Sequence, residues 1–289
     1  MSRPDVGDRN NDLVAEGVSI AYGRTVVVDG LDLAISCGVF TALIGPNGSG
    51  KSTILRALAG LLTPKAGTVR LDGRSVAELS TKEVARRVGV LAQGPVAPEG
   101  LTVLDLVRQG RYPHRSLFGR WSEHDDAACA EALALTGMED LAGRPLDSLS
   151  GGQRQRAWIA MTLAQETPIL LLDEPTTFLD LAHQIEVMEL VSDLVATRGK
   201  TVVAVLHDLN QASRHADHMV LLKEGTIAAA GRPEDVMNAA LIEHVFGVAV
   251  TVMPDPVMGT PMCVPLAKRS RSLPTEGERL LLNGNASGD

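Results

Sequence analysis

Short, almost unbroken apolar runs punctuate the chain: VFTALIG at 39–45, VGVLAQ at 88–93, PILLLD at 168–173 and TVVAVLH at 201–207. Runs of this length, each ending on a polar residue or glycine, predict strands buried on both faces of a sheet. Between them, apolar residues recur at helical spacing over 51–60, 102–109, 123–136, 152–165, 183–196 and 208–215. Buried strands alternating with amphipathic helices predict an α/β fold on a mainly parallel sheet. Ahead of them, 13–35 carries VSIAY, TVVVDG and LDLAI, broken at Gly23, Arg24 and Gly30, which predicts an antiparallel β layer.

The interval 94–150 interrupts this rhythm. It opens on GPVAPEG and is helical thereafter, so it is expected to form a helical subdomain inserted in a single domain spanning 13–267. Residues 1–12 and 268–289 are polar or mixed, without period, and are expected to be flexible ends. Composition then removes several function classes. With 45% hydrophobic and 21% charged residues the chain reads as a soluble globular protein. A net charge of −8 and only 3% aromatic residues disfavour nucleic acid as a partner. No apolar run reaches the ~18 residues of a membrane span, and MSRPDVGDRNND has no secretory core. Cys37, Cys129 and Cys263 are far apart and unpaired in pattern, which fits a reducing cytoplasm and argues against zinc.

Directly after the first apolar run stands GPNGSGKST: Gly45, Pro46, Asn47, Gly48, Ser49, Gly50, Lys51, Ser52 and Thr53. It matches G-x-x-x-x-G-K-[ST] between a strand and a helix, the context a phosphate-binding loop requires. Glycines let backbone N–H groups converge on a polyphosphate, and the helix that follows adds its positive end. Lys51 supplies a point charge for the β- and γ-phosphates, and Ser52 a hydroxyl for Mg²⁺. Alone, the loop indicates only a nucleoside triphosphate.

Asp173 and Glu174 close the oily run 169–172, where burial penalises charge. Two carboxylates ~4 Å apart repel by about 4 kcal/mol at an effective dielectric near 20, so both staying ionised calls for a cation. The economical division gives Asp173 to Mg²⁺ and Glu174 to polarising an attacking water, as against two ordinary surface acids. His207 ends another buried run at the same expected sheet edge, so contact with the γ-phosphate or the water is expected, although a lone histidine is more often structural. Gln93 ends a further run and is a candidate ligand for Mg²⁺ or water.

LSGGQRQR at 149–156 precedes a helical segment. Ser150 fits an N-cap, with Gly151 and Gly152 leaving N–H groups exposed and Gln153 completing the motif. The chain thus offers two phosphate-binding helix starts but one lysine-bearing loop. A homodimer in which Ser150 of one copy closes over its partner's nucleotide resolves this; a plain serine cap is the alternative.

Taken together and in order, 45–52, Gln93, 149–153, 169–174, Leu179-Asp180 and His207 resemble the ATP-binding subunits of ABC transporters. The resemblance spans roughly 13–265. It implies a P-loop fold with antiparallel and helical subdomains, ATP and Mg²⁺ as ligands, and a head-to-tail ATP-sandwich dimer. It also implies that Tyr22 stacks on adenine, that Asp180 contacts the partner chain, and that 94–150 docks on a membrane permease at the cytoplasmic face. Fused exporters, coiled-coil chromosome proteins and tandem ribosome factors do not fit the chain's length and motifs.

RQGRYPHRSLFGRW at 108–121, RQRAWIAMTLAQETPILLLDEPTTFLDLAHQIEVMEL at 154–190 and DPVMGTPMCVPL at 255–266 further resemble the ATPases of iron–siderophore importers, a group close to those for haem and vitamin B12. The 110–114 stretch is expected either to shape the permease groove or to be a solvated charged loop. The resemblance implies ferric siderophore as cargo, delivered by a substrate-binding protein and never touching this subunit. Haem or cobalamin cargo, a soluble P-loop small-molecule kinase, and a regulator acting on DNA or ribosomes are the alternatives. Phe178 and the His183-Gln184 pair carry no chemistry that the sequence reveals.

Overall fold

The computed structural model describes residues 11–95, 97–115, 120–177 and 179–266. The expected flexible stretches 1–10 and 268–289, residues 116–119 of the RQGRYPHRSLFGRW stretch, and Phe178 lie outside the described residues. Residues 11 and 12, expected in the loose N-terminus, already belong to the first strand.

β1 (Asn11–Tyr22) and β2 (Thr25–Ser36) form a hairpin turned at Gly23 and Arg24. The expected break at Gly30 is absent. At φ 57 this glycine sits where the register slips between Val18–Leu31 and Ile20–Val28, so TVVVDG and LDLAI form one bulged strand. β3 (Phe40–Ile44) leads through the phosphate-loop sequence into α1 (Lys51–Leu58). Next come β4 (Ala66–Leu71), β5 (Arg74–Ser75), α2 (Thr81–Ala85) and β6 (Val88–Leu91). The helical interval holds α3 (Val103–Gln109) and α4 (Glu123–Leu135), and α5 (Gly151–Ala164) follows. The core resumes with β7 (Ile169–Asp173), α6 (Leu181–Arg198), β8 (Thr201–Val205) and α7 (Leu209–His215). The chain then adds β9 (His218–Lys223), β10 (Thr226–Gly231), α8 (Pro233–Val236), α9 (Ala239–Phe246) and the hairpin β11 (Val250–Pro254) with β12 (Pro261–Pro265).

The main sheet has the order β10-β9-β3-β8-β7-β6, parallel throughout except for β10. β3, β7 and β8 are buried at every position, as their apolar runs predict. Their residues alternate between two cores. Leu43, Leu171 and Val203 face the antiparallel layer β2-β1-β4-β5 and α1, whereas Ala42, Leu172 and Ala204 face α6 and the C-terminal elements. Because β3, β6, β7 and β8 run the same way, the segments that follow them share one sheet edge, where open α/β sheets bind ligands.

A third core belongs to the helical subdomain. Val103, Leu106, Val107, Cys129 and Leu133 pack there with Ala157, Ala160 and Ala164 of α5, so this cluster reaches past residue 150. The stretch 110–115 fastens it to the segments that lead into β6 and β7. Arg111 is 1% exposed; its Nε donates to Asp125 Oδ1 (2.9 Å) and its Nη1 to Ala164 O (2.7 Å) and Glu166 Oε2 (2.6 Å). Arg86 Nε donates to Pro113 O at 3.0 Å, and His114 Nε2 lies 2.7 Å from Gln165 O. A solvated charged loop is therefore the wrong description of this stretch; Tyr112 alone among 111–114 is strongly exposed.

Candidate functional site

The loop between β3 and α1 is built for an anion. Gly50 is the N-cap of α1 at φ 94 in the left-handed region, where a side chain is disfavoured, and it provides no side-chain cap. The first amides of α1 therefore have no side-chain acceptor, and the helix start carries partial positive charge. Ser49 Oγ is buried in the same loop without a hydrogen-bond partner. Lys51 folds back, its Nζ donating to Gly45 O (2.8 Å) and Pro46 O (2.9 Å). Burial lowers the Lys51 pKa, with Glu174 and Asp173 working the other way.

The question posed by the adjacent acids has a geometric answer. Asp173, the last residue of β7, is 2% exposed, and Ser52 Oγ donates to its Oδ1 at 2.7 Å. In an extended strand Glu174 would point to the opposite face. Instead it has φ 54, a left-handed turn that costs a non-glycine residue about 1–2 kcal/mol. That turn brings its carboxylate into the cleft that Ser52 lines, where His207 Nε2 meets Oε1 at 2.8 Å, whereas Asp173 itself is not among the lining residues. Gln93 Nε2 and Thr177 Oγ1 donate to Oε2 at 2.8 and 2.9 Å.

These partners separate the two acids electrostatically. Burial raises the pKa of Asp173, and the neighbouring Glu174 charge adds to it, against the hydrogen bond from Ser52. Burial also opposes charge on Glu174, but hydrogen bonds from His207 and Thr177 outweigh it and hold the group below the ordinary carboxylate value. Adjacent carboxyls with opposed shifts, one lining the cleft and one behind Ser52, are a mark of divided chemical labour.

The cleft itself encloses about 490 Å³ and is lined by Asn47, Gly48, Gly50, Lys51, Ser52, Thr53, Gln93, Glu174 and His207, together with Val27 and Thr177. The last two were not foreseen. Thr177 lies in the TT of the acidic motif, and its spacing of three from Glu174 could have flagged it. Val27 carries no chemical signal. Tyr22 ends β1, is 49% exposed, and is not among the lining residues.

The remaining candidates lie elsewhere. Ser150 caps α5 and exchanges reciprocal hydrogen bonds with Gln153: Ser150 Oγ accepts from Gln153 N at 3.2 Å, and Gln153 Oε1 accepts from Ser150 N at 3.1 Å. Asp180 caps α6 by accepting from His183 N at 3.0 Å. Neither Ser150, Gly151, Gly152, Gln153 nor Asp180 lines the cleft of its own chain.

A phosphate loop with its lysine, a hydroxyl–aspartate pair and a hydrogen-bonded glutamate at the carboxyl edge of a parallel sheet define a P-loop nucleoside triphosphatase. Residues 28–177 match the family described as ABC transporter, and the chain belongs to that family as one of its ATP-binding ATPases. It is 54% identical over 250 residues to the probable siderophore transport system ATP-binding protein YusV of Bacillus subtilis (strain 168), covering 86% of this chain and 91% of the relative. It is 52% identical over 260 residues to the ferric enterobactin transport ATP-binding protein FepC of Escherichia coli (strain K12), covering 90% and 96%. Among solved structures, a chain of an ABC transporter described as metal-chelate type, in an inward-facing conformation, aligns with a TM-score of 0.78 at 30% identity, over 90% of this chain and 99% of that one. Among the described residues, no helix is long and apolar enough to cross a membrane.

Proposed function

We propose that this chain is the ATP-hydrolysing subunit of a ferric-siderophore importer. Two copies act head to tail on a separate permease at the cytoplasmic face of the membrane, supplied by a substrate-binding protein. The observation that carries the enzymatic half is the convergence of Lys51, the Ser52–Asp173 pair and the Glu174–His207–Gln93 cluster on one cleft. The relatives' transport of siderophores supports the cargo.

In this reading the amides of 48–53 and Lys51 bind the phosphates, and Tyr22 stacks on the base. Lys51 exchanges its two carbonyl partners for phosphate oxygens. Glu174, kept ionised by His207 and Thr177, takes the proton of the attacking water. His207 holds the glutamate in orientation and contacts the γ-phosphate once it arrives. The donor set suits a hard cation: the Ser52 hydroxyl, the Asp173 carboxylate and the side-chain carbonyl of Gln93, whose amide nitrogen is already committed to Glu174. Mg²⁺ bound there would neutralise phosphate charge. There it would also favour the ionised form of Asp173 that burial disfavours.

The capped start of α5 and Asp180, which do not line their own cleft, serve the partner's nucleotide. The helical subdomain offers a groove of about 390 Å³ lined by Asp105, Arg108, Gln109, Tyr112, Arg115 and Trp121, suited to a permease loop. The cargo does not enter this subunit. The test is ferric-siderophore uptake in cells carrying Lys51→Ala, with the permease identified by co-purification from membranes. Loss of uptake with loss of ATP binding supports the reading. Haem or cobalamin uptake in its place moves the cargo to the alternative, and a phosphorylated small acceptor with no membrane partner supports the kinase.

A further inference from the structure

The continuation of the acidic motif, Leu179-Asp180-Leu181-Ala182-His183-Gln184, has no part in the cleft, yet its His-Gln pair is engaged. His183 Nδ1 lies 2.7 Å from Asp180 Oδ1, the same oxygen that accepts from His183 N at 3.0 Å. Gln184 Nε2 donates to Leu179 O at 3.0 Å, and Gln211 Nε2 donates to Gln184 Oε1 at 2.9 Å. The loop entering α6 is thus held from within α6 and from α7.

The other side of the imidazole faces the glycine pair that starts α5. Gly152 is buried, and a methyl group added at its Cα would lie 2.6 Å from His183 Cδ2 and 2.7 Å from Cγ. No side chain fits there while His183 keeps its place. The second glycine of Ser150-Gly151-Gly152 therefore serves contact with a histidine in the same chain as well as exposure of its amide. Two further links join the same segments: Gln155 Nε2 to Pro175 O at 2.9 Å and Arg156 Nη1 to Glu186 Oε2 at 3.5 Å.

We propose that His183 is a positioning residue that locks Asp180 to the start of α5, so that the two segments this chain offers to a second copy move as one rigid face. Nδ1–H holds the Asp180 carboxylate, and the ring sets the spacing from Gly152. The inference rests on the head-to-tail pairing proposed above. Without the lock, Asp180 and Ser150 must each be ordered as the two copies close, so closure weakens while nucleotide binding to a single chain does not.

The test uses the full chain with Glu174→Gln, which stalls turnover, and measures the ATP concentration giving half-maximal dimer by light scattering. Affinity for a fluorescent ATP analogue is measured separately on dilute monomer. Losing a hydrogen bond to a charged group predicts a rise of about tenfold or more in that ATP concentration for His183→Ala and His183→Leu, with analogue affinity within about twofold. His183→Asn, which keeps a donor within reach of Asp180, is expected to recover most of the loss. His183→Leu, which keeps bulk but no donor, is not. Dimerisation of all three variants at the parent's ATP concentration overturns the inference, as does equal recovery by Leu and Asn. A parallel loss of analogue binding reduces His183 to a structural role and overturns it as well. If the Glu174→Gln parent itself forms no dimer with ATP, the pairing falls first.

Discussion

At the scale of single residues, the cleft turns on one left-handed bend. Glu174 at φ 54 is what allows two successive residues of one strand end to serve one ligand. Residue types and order were legible: the lysine loop, the acids and His207 all came from sequence. What was not legible is which atom each side chain addresses. Gln93 and His207, read as partners of metal, water or phosphate, both hold Glu174. His183 had no visible purpose because its contact with Gly152 joins segments far apart in the chain, which no periodicity encodes. Asp173 gives a sharp prediction. Its pKa is raised above 3.8 by burial and by Glu174, so the folded state holds the proton more tightly than the unfolded chain. This group's contribution to stability is therefore fully present below 3.8 and is lost as pH rises through the folded value. Asp173→Asn is therefore expected to raise the Tm of the nucleotide-free protein at pH 7, each kcal/mol relieved being worth roughly 2–4 °C. The same change should abolish Mg²⁺-dependent hydrolysis. Calorimetry without nucleotide, beside an ATPase assay, checks both.

At the scale of elements, the strands that form the ligand edge were readable because burial on both faces demands unbroken apolar runs. The segments after α7 were not. β9 holds the short buried run Met219–Leu222 but follows α7 closely, and β10 to β12 are largely exposed or half-buried, so no clean alternation or continuous run marks those three. The joint at Arg111 was hidden for a different reason: charge in RQGRYPH reads as surface, but Asp125, Glu166 and the Ala164 carbonyl make its burial tolerable. Removing one partner of a buried ion pair strands the others, so Arg111→Ala is expected to cost about 3–5 kcal/mol, measured by denaturant unfolding. Burial opposes the Asp125 charge, yet hydrogen bonds from Ser122 and Arg111 hold its carboxyl at about 2. That depressed value contributes stability in full above the ordinary 3.8, lost as pH falls from there toward about 2. Acid titration of the wild type should show this loss, and Asp125→Asn should flatten it.

At the scale of the whole molecule, the parts divide between those that line one chain's cleft and those that do not, which the proposed pairing assigns to a second copy. Phosphate loop, acids and histidine meet within one chain; the start of α5 and Asp180 do not join them. The sequence carried this division already, in two helix starts for one lysine-bearing loop. Cargo lies further off, and it follows from kinship alone. Chemistry at Glu174 is the central claim. Its most direct test compares ATP binding and steady-state hydrolysis for Glu174→Gln and wild type under identical Mg²⁺. Retained ATP affinity with hydrolysis reduced by a factor of about 10²–10⁴ is the predicted result. Wild-type turnover by Glu174→Gln would contradict the account.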